Sequence, residues 1–453
     1  MLIDAAAQRG NGGGRGFVRV VVGVVALVAL VGVPVVAASA DTADGFWYFD
    51  TFHVQAAHDA GFTGEGVTIA MLDTQINLDV PTLKGADIEV QPSQCWDAAG
   101  VKVPPMSKTL GAWHGTNVAS LIVGSGAGYA GQAGVKGVAP KAKLLYYMAL
   151  PEDASLKASN CWGKGGKGNL DTSAADYVNS AVAKGAQIIS VSLTMDAPSE
   201  LVAAVANAEH HGVVVVAGLS NGLLGTDGKT PATWPASANG VVAVQRIGAD
   251  GKVPLDTAHG QTDADSRAVV AGPGDGILTQ GSAQTGSWQT QVPRDGTSNA
   301  TPIVASFLAL VKQKYPKATG NQLIQTLIHN TGVDDHPLAR GESGATGYGV
   351  AVLTHMLRVD HTQYPNVNPL VRTVSNVYPT AAMIANPPAV KAPTSSASPS
   401  ATAPGKAAAA MPWLLPVIIG GGVLVLLVIG LIVLLVVLAS RKAQRPPGSG
   451  QLG

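Results

Sequence analysis

From residue 67 to about residue 357 of this 453-residue chain, short unbroken apolar runs alternate with segments of helical period. The runs at 67–72, 144–150, 188–193, 213–219 and 241–244 are apolar at nearly every position, not at every second one. Continuous apolar runs of that length predict strands covered on both faces. Between them, Thr172 or Ser173 offers an N-cap to a helix whose apolar face is Tyr177, Val178, Ala181 and Val182, and Gly185 offers its stop. A second helix is predicted from Ser199 through Leu201, Val202 and Val205 to Gly212. Strand-helix-strand repetition makes the sheet parallel and its crossovers right-handed. The expected fold is α/β, a doubly wound parallel sheet.

Both ends of the chain break this pattern. Arg9, Arg15 and Arg19 precede an apolar stretch at 20–36, and Ala38-Ser39-Ala40 supplies small residues for signal peptidase. Residues 1–40 are expected to be a signal peptide, with an uncleaved signal anchor as the alternative. Near the other end, 414–438 carries no charge, and as a helix it would extend about 37 Å, enough to span a bilayer. Arg441, Lys442 and Arg445 follow it, so the positive-inside rule places the tail at 440–453 in the cytoplasm. A transmembrane helix is therefore expected at 413–439, and a Pro/Ala/Ser-rich stalk that cannot bury a core at 376–412. The extension at 41–66 and the α/β domain at 67–375 then lie outside the cytoplasmic membrane.

Charge excludes one class of partner. The chain has 29 basic and 29 acidic residues with no long run of either sign, which gives no footprint for nucleic acid. Its two cysteines, Cys95 and Cys161, both fall in the exported part, where a bridge is favoured over two buried thiols. Closing that loop would stabilise the fold by roughly 4 kcal/mol on the chain-entropy account. No clustered Asp/Glu loop and no helical pair of histidines compels a metal site, and no cofactor is implied.

Three motifs carry chemistry. The strand in Gly66-Val-Thr-Ile-Ala-Met-Leu-Asp73 ends on a carboxylate, at the sheet edge where open parallel sheets bind ligands. His114-Gly-Thr opens a segment with Val118, Leu121 and Ile122 at helical spacing, and Gly115 would let that helix approach its neighbours closely. In Asp295-Gly-Thr-Ser298-Asn-Ala-Thr-Pro302, Ser298 begins an apolar helix with Pro302 in its first turn. A serine there has unsatisfied backbone N–H groups beside it, a ready place to stabilise an oxyanion. Singly, these residues read as a turn cap, a helix cap and an N-cap. Together they follow the chain order Asp, His, Ser on one parallel scaffold.

Over roughly residues 60–357 the sequence resembles the subtilases. Asp73-Thr74, His114-Gly-Thr and Gly296-Thr-Ser298-x-Ala-Thr-Pro302 match that family's three motifs, and Gly137-Val-Ala-Pro140 and the run at 213–221 match two more. The resemblance implies a subtilisin-like fold and a serine endopeptidase. In it Ser298 attacks a peptide carbonyl, His114 takes and returns the proton, and Asp73 orients the imidazole. Asn221 and the Ser298 N–H would form the oxyanion hole, and Ser192, Leu193 and Thr194 would line the substrate. The departures are Gln75 for a glycine, Asn299 for the usual Met, Ser220 for the glycine before Asn221, and Thr194 and Met195 for two glycines. They predict a narrower, more selective cleft with slow turnover of generic substrates.

Only about 26 residues separate Ala40 from the first core strand, too few for a folded inhibitory prodomain. With the stalk and anchor, this resembles the mycosins, membrane-tethered proteases of type VII secretion systems. In that family a short N-terminal extension wraps the catalytic domain and a disulfide braces a loop. The resemblance implies protein or peptide substrates and a membrane secretion complex as partner. The rival expectation is a catalytically weak or inert subtilase that serves such a complex as a structural component.

Overall fold

Side chains that are apolar at every position need cover on both faces, and the chain supplies it by layering helices against one parallel sheet. In the computed structural model, residues 45–97, 99–151, 171–221, 234–256, 261–262, 265–341 and 345–389 are described. Numbered along the chain, the strands are β1 (Thr68–Asp73), β2 (Ile88–Val90), β3 (Ser125–Ala127), β4 (Ala133–Lys136), β5 (Lys143–Met148), β6 (Ile188–Val191) and β7 (Val214–Gly218). They continue with β8 (Val242–Ile247), β9 (Leu255–Asp256), β10 (Gln261–Thr262), β11 (Val270–Pro273), β12 (Ile277–Ser282) and β13 (Ser287–Arg294). The helices are α1 (Trp47–Thr51), α2 (Val54–Asp59), α3 (Trp113–Val123), α4 (Asp171–Ala183), α5 (Ser199–His210), α6 (Thr297–Lys314), α7 (Gly320–His329), α8 (Leu353–Arg358) and α9 (Ala381–Ala385).

Seven strands form one sheet in the order β11-β8-β7-β6-β1-β5-β2, with parallel pairing throughout. All five predicted runs are in it, as β1, β5, β6, β7 and β8. The two it adds were hidden for local reasons. β2 is three half-buried residues, Ile-Glu-Val, and β11 ends on Pro273, which reads as a strand breaker. Strands β3–β4, β9–β10 and β12–β13 pair as separate antiparallel ribbons. Helix α6 lies across β6, β7, β8 and β11 with α3 beside it, while α4 and α5 pack together and reach β1 and β7.

The order of strands decides where a site can form. From β1 the chain moves to β2 and β5 on one side, then crosses back to β6 on the other. That reversal opens a crevice at the C-terminal ends of the strands around β1, the topological switch point of such folds.

The extension expected at 41–66 packs on the domain it was expected to wrap: from residue 45 on it is described, and Trp47, Tyr48, Phe49, Phe52 and Val54 join the same buried cluster as β1 and α6. The Phe52 ring lies 5.6 Å from that of Phe307 in α6, and Trp47 Nε1 donates to Asp275 O at 2.8 Å. Four large aromatics within six residues can only be buried by joining the main core. At the other end, α9 packs on α5, and Asn239 Nδ2 donates to Arg372 O and Pro379 O, so the fold runs past residue 375. The predicted signal peptide at 1–40, transmembrane helix at 413–439 and tail at 440–453 lie outside the described residues, as does most of the stalk. Among the described residues no helix is long and apolar enough to cross a membrane. Cys95 is buried beside Val103 and Met148 and is not a free thiol, whereas Cys161 lies outside the described residues.

Candidate active site

Asp73 closes β1 at the switch-point edge and is wholly buried. Its Oδ1 accepts from Thr74 N at 2.7 Å and from His114 Nδ1 at 2.6 Å. A carboxylate oxygen only accepts, so the proton of the neutral imidazole sits on Nδ1 and Nε2 keeps its lone pair. His114 is the second residue of α3, one position inside the helix it was expected to start. The side chain is 17% exposed against 0% for Asp73, so the ring spans from a dry interior to the cleft.

Gly115 explains how α3 comes this close. A Cβ there would lie 2.0 Å from the Tyr146 hydroxyl and 2.6 Å from Gln75 O, a collision with fixed atoms. Its N–H donates to Thr74 Oγ1 at 2.9 Å, which ties the helix start to the residue after Asp73. Asn117 anchors the next turn by accepting from Gln280 N at 2.7 Å and donating to Gln280 O at 3.0 Å.

Ser298 is the second residue of α6, after the cap position Gly296, and makes no N-cap bond with its side chain. The plain capping explanation of this serine therefore fails. Pro302 is the sixth helical residue, not part of the first turn as expected. The ring removes the N–H that would have bonded Ser298 O four residues back. That freed carbonyl accepts instead from Ser192 Oγ at 3.0 Å, and Ser298 Oγ donates to Ser192 O at 3.3 Å. This reciprocal pair fastens Ser298 to the residue that follows β6, the strand next to β1. Ser192, expected to touch substrate, thus commits both its hydroxyl and its carbonyl to Ser298.

Asn221 sits against the same helix start. Its Oδ1 accepts from Thr297 N at 2.8 Å and from Thr297 Oγ1 at 3.1 Å. A backbone N–H can only donate, which fixes that atom as the oxygen and leaves Nδ2 as the outward donor. An ideal Cβ on Gly296 would lie 3.7 Å from both Asn221 Nδ2 and Ser298 N, so the two donors converge on one small region. The dipole of the 18-residue α6 places its positive end there as well.

The departures from the family pattern have structural work of their own. Asn299 Nδ2 donates to Gly274 O and to Arg294 O, each at 3.1 Å, and clamps the turn that delivers Ser298. Gln75 Nε2 donates to Pro104 O at 2.8 Å and holds the loop at 103–106 against Ile76. Leu193 is half-buried and Thr194 exposed, while Met195 N donates to Trp234 O at 2.9 Å. The edge at 192–194 is therefore short, bounded on one side by Ser298 and on the other by that bridge. Among the described residues no group of three or more His, Cys, Asp or Glu side chains is arranged to hold a metal ion.

The comparisons with known proteins agree with this geometry. The model of the Subtilase family matches residues 64–349. The chain is 30% identical over 284 residues to a thermostable alkaline protease of Halalkalibacterium halodurans, covering 62% of this chain and 66% of that one. It therefore spans just under two thirds of that relative's length. It is 32% identical over 286 residues to subtilisin BL of Lederbergia lenta, covering 63% of this chain and 90% of that one. Among solved structures, MycP1 from the ESX-1 type VII secretion system superposes with a TM-score of 0.52 at 23% identity, over 72% of this chain and 88% of that chain. At that identity the likeness is one of fold.

Proposed function

We propose, on the premise that this chain belongs to the subtilase family, that it hydrolyses peptide bonds through an acyl-enzyme on Ser298. The observation that carries the reading is the 2.6 Å bond between Asp73 and His114, set at the edge where Ser298 is fastened to the end of β6. Ser298 Oγ attacks the scissile carbonyl carbon as its proton passes to His114 Nε2. The resulting imidazolium keeps its Nδ1–H on Asp73. The oxyanion takes hydrogen bonds from Asn221 Nδ2 and Ser298 N. Collapse expels the amine, which leaves with the proton from His114, and water then repeats the sequence on the ester. Asp73, His114 and Ser298 are the catalytic residues of this scheme, and Leu193 and Thr194 offer the open edge to substrate backbone.

The finer reading is a mycosin-type protease that processes exported proteins outside the cytoplasmic membrane. A signal peptide at 1–40, an anchor at 413–439 and a Cys95–Cys161 bridge belong to it. Its support is the fold likeness to MycP1 together with the apolar, uncharged stretch at 414–438. A fluorophosphonate probe tests the chemistry. Native protein should be labelled on Ser298 and Ser298→Ala should not; folded native protein that resists the probe would leave only the structural-component reading. Mass spectrometry of exported proteins from cells with native or Ser298→Ala protein tests the role. Identical protein termini in both would sink it.

A further inference from the structure

The edge of the sheet remote from Asp73 holds a cavity of about 480 Å³. Val241 and Val269, which line it, immediately precede β8 and β11. In a parallel sheet these are the N-terminal ends of strands, whereas Asp73 closes the C-terminal end of β1. A ligand here would not meet the catalytic cleft. The floor is apolar, formed by the buried Val241 and Val269 with half-buried Leu370. The rim carries Arg267, Arg340 and Arg372, and among the described residues no carboxylate lines the cavity.

The three arginines are not equivalent. Arg267 is neutralised by Asp265, with Nε at 2.8 Å from Oδ1 and Nη2 at 2.6 Å from Oδ2. Arg340 lies over the Tyr348 ring at 5.5 Å and gives Nη2 hydrogens to Ser266 O and Ala268 O. A guanidinium has five N–H donors, so three on Arg340 have no acceptor among the described residues. Arg372 is pinned through its backbone, donating N–H to Asn239 Oδ1 at 2.7 Å and accepting from Asn239 Nδ2 at 2.9 Å. Its guanidinium has no partner among the described residues. Among the described residues neither the anchored Arg340 guanidinium nor the free-ended Arg372 guanidinium faces a carboxylate, and the two flank one apolar floor.

We infer that this cavity docks an acidic peptide segment of a partner protein. An apolar side chain would fill the floor, and flanking carboxylates would pair with Arg340 and Arg372. Guanidinium matches carboxylate in a planar, two-point geometry, and the anchored Arg340 side chain loses little freedom on binding. A bare inorganic anion would leave the apolar floor uncovered, which disfavours a simple phosphate site. Docking on this edge leaves the switch-point edge open, so one protein can be held here while its own chain, or another, is cut there.

The test uses the full chain as Ser298→Ala, so that no probe is cleaved, and a fluorescein-labelled, N-acetylated peptide Asp-Glu-Leu-Asp-Glu read by fluorescence anisotropy. Saturable binding is expected that weakens with added salt and falls by about tenfold or more in Arg372→Gln. The neutral analogue Asn-Gln-Leu-Asn-Gln should bind about as weakly as that variant does to the acidic peptide. Because the Arg372 side chain holds no described backbone group, its removal should leave the melting temperature unchanged. Arg340→Gln, which also loses two carbonyl contacts, serves as the second variant. Absence of saturable binding, equal binding of the neutral peptide, or equal affinity in Arg372→Gln would overturn the proposal. So would sedimentation showing a dimer that Arg372→Glu abolishes, since the occupant would then be a second copy of this chain.

Discussion

Among the described residues, two carboxyl groups have oxygens shut off from solvent and from full pairing, and they live differently. Asp73, at the end of β1, has Oδ1 between two N–H donors, Thr74 N and His114 Nδ1, although its Oδ2 has no partner among the described residues. Glu209, near the end of α5, has both oxygens shut off from solvent and neither hydrogen-bonded. The turn at Gly240 closes over it so tightly that a Cβ there would lie 2.4 Å from Glu209 Oε2. Burial alone pushes the Glu209 carboxyl well above its ordinary value, because nothing compensates the charged form. The contrast separates two consequences of burial. Without donors, it only penalises the charge of a carboxyl and gives the group nothing to orient. With a donor that is itself an imidazole, it makes a carboxyl an orienting group, and only the second is useful for chemistry.

The largest effect should come from breaking the useful member of the pair. Asp73→Asn keeps size and burial but presents an amide N–H where His114 Nδ1–H needs an acceptor. The ring should then adopt the other tautomer, and kcat should fall about ten-thousand-fold, the cost known for this substitution in serine proteases. KM should change little. A fall of less than about tenfold would mean that Asp73 does not orient His114, and the contrast with Glu209 would lose its functional half.

The next effect sharpens what the donors do on the Ser298 side. Asn221→Ala should lower kcat by about 100- to 1,000-fold, or about 2.7–4 kcal/mol, a range that comes from subtilisin itself. Asn221 also accepts from Thr297 N, so the alanine variant removes a helix-start bond as well. Asn221→Asp separates the two roles, because it keeps an acceptor for Thr297 and loses the outward donor. Kinetics should show both variants slow, and thermal melting should show only Asn221→Ala destabilised. If Asn221→Asp turns over at the native rate, the convergent donors beside Gly296 are not an oxyanion hole.

How much of this was readable beforehand depends on how local each interaction is. Asp73, His114 and Ser298 stand in short motifs, and the continuous apolar runs lead directly to β1, β5, β6, β7 and β8. Gly115 was legible as a close approach because a glycine after a helix-start histidine has few other uses. The pairing of Ser192 with Ser298 was not, since it joins residues 106 positions apart and depends on Pro302 lying in the second turn. Nor was the clamp by Asn299, whose two acceptors, Gly274 O and Arg294 O, converge only after β11 and the β12–β13 ribbon have folded. That the extension would wrap the domain came from the family resemblance; which surface Trp47 and its neighbours meet did not, because aromatic residues announce burial without naming the partner. Glu209 had no signal at all, as a helical Glu near a C-terminus reads as solvated.

Glu209 yields the third effect, opposite in sign to the first two. Its folded pKa is raised above the ordinary 4.5, so the unfolded chain releases this proton at a lower pH than the folded one. The contribution to stability is fully present below about 4.5 and is lost as pH rises toward the folded value, by about 1.4 kcal/mol per pH unit. Glu209→Gln removes the titration with little change in shape. The variant should melt higher than native protein at pH 8 and within error of it at pH 4, with unchanged kcat. Equal melting at both pH values would show that Glu209 finds a partner in solution, and the contrast between the two buried carboxyls would dissolve.

The smallest effect comes from a carboxylate that is neither buried nor orphaned. Glu89, in edge strand β2, is held at 2.8 Å by both Lys143 and Lys184, and its side chain is 40% exposed. The two ammonium groups, Lys143 first, lower its carboxyl from 4.5 to about 2. A depressed carboxyl contributes stability above its unfolded pKa and loses it as pH falls, here between about 4.5 and about 2. Solvent at this exposed site screens most of that contribution, so Glu89→Gln should cost at most about 1 kcal/mol at pH 7. The loss should shrink in 1 M salt, where the screening length drops to about 3 Å, and vanish near pH 2. Denaturant titrations at pH 7 and pH 2, with and without salt, check each point. A salt-insensitive loss larger than the gain from Glu209→Gln at pH 8 would mean that donors, not burial, dominate the energetics of these carboxylates.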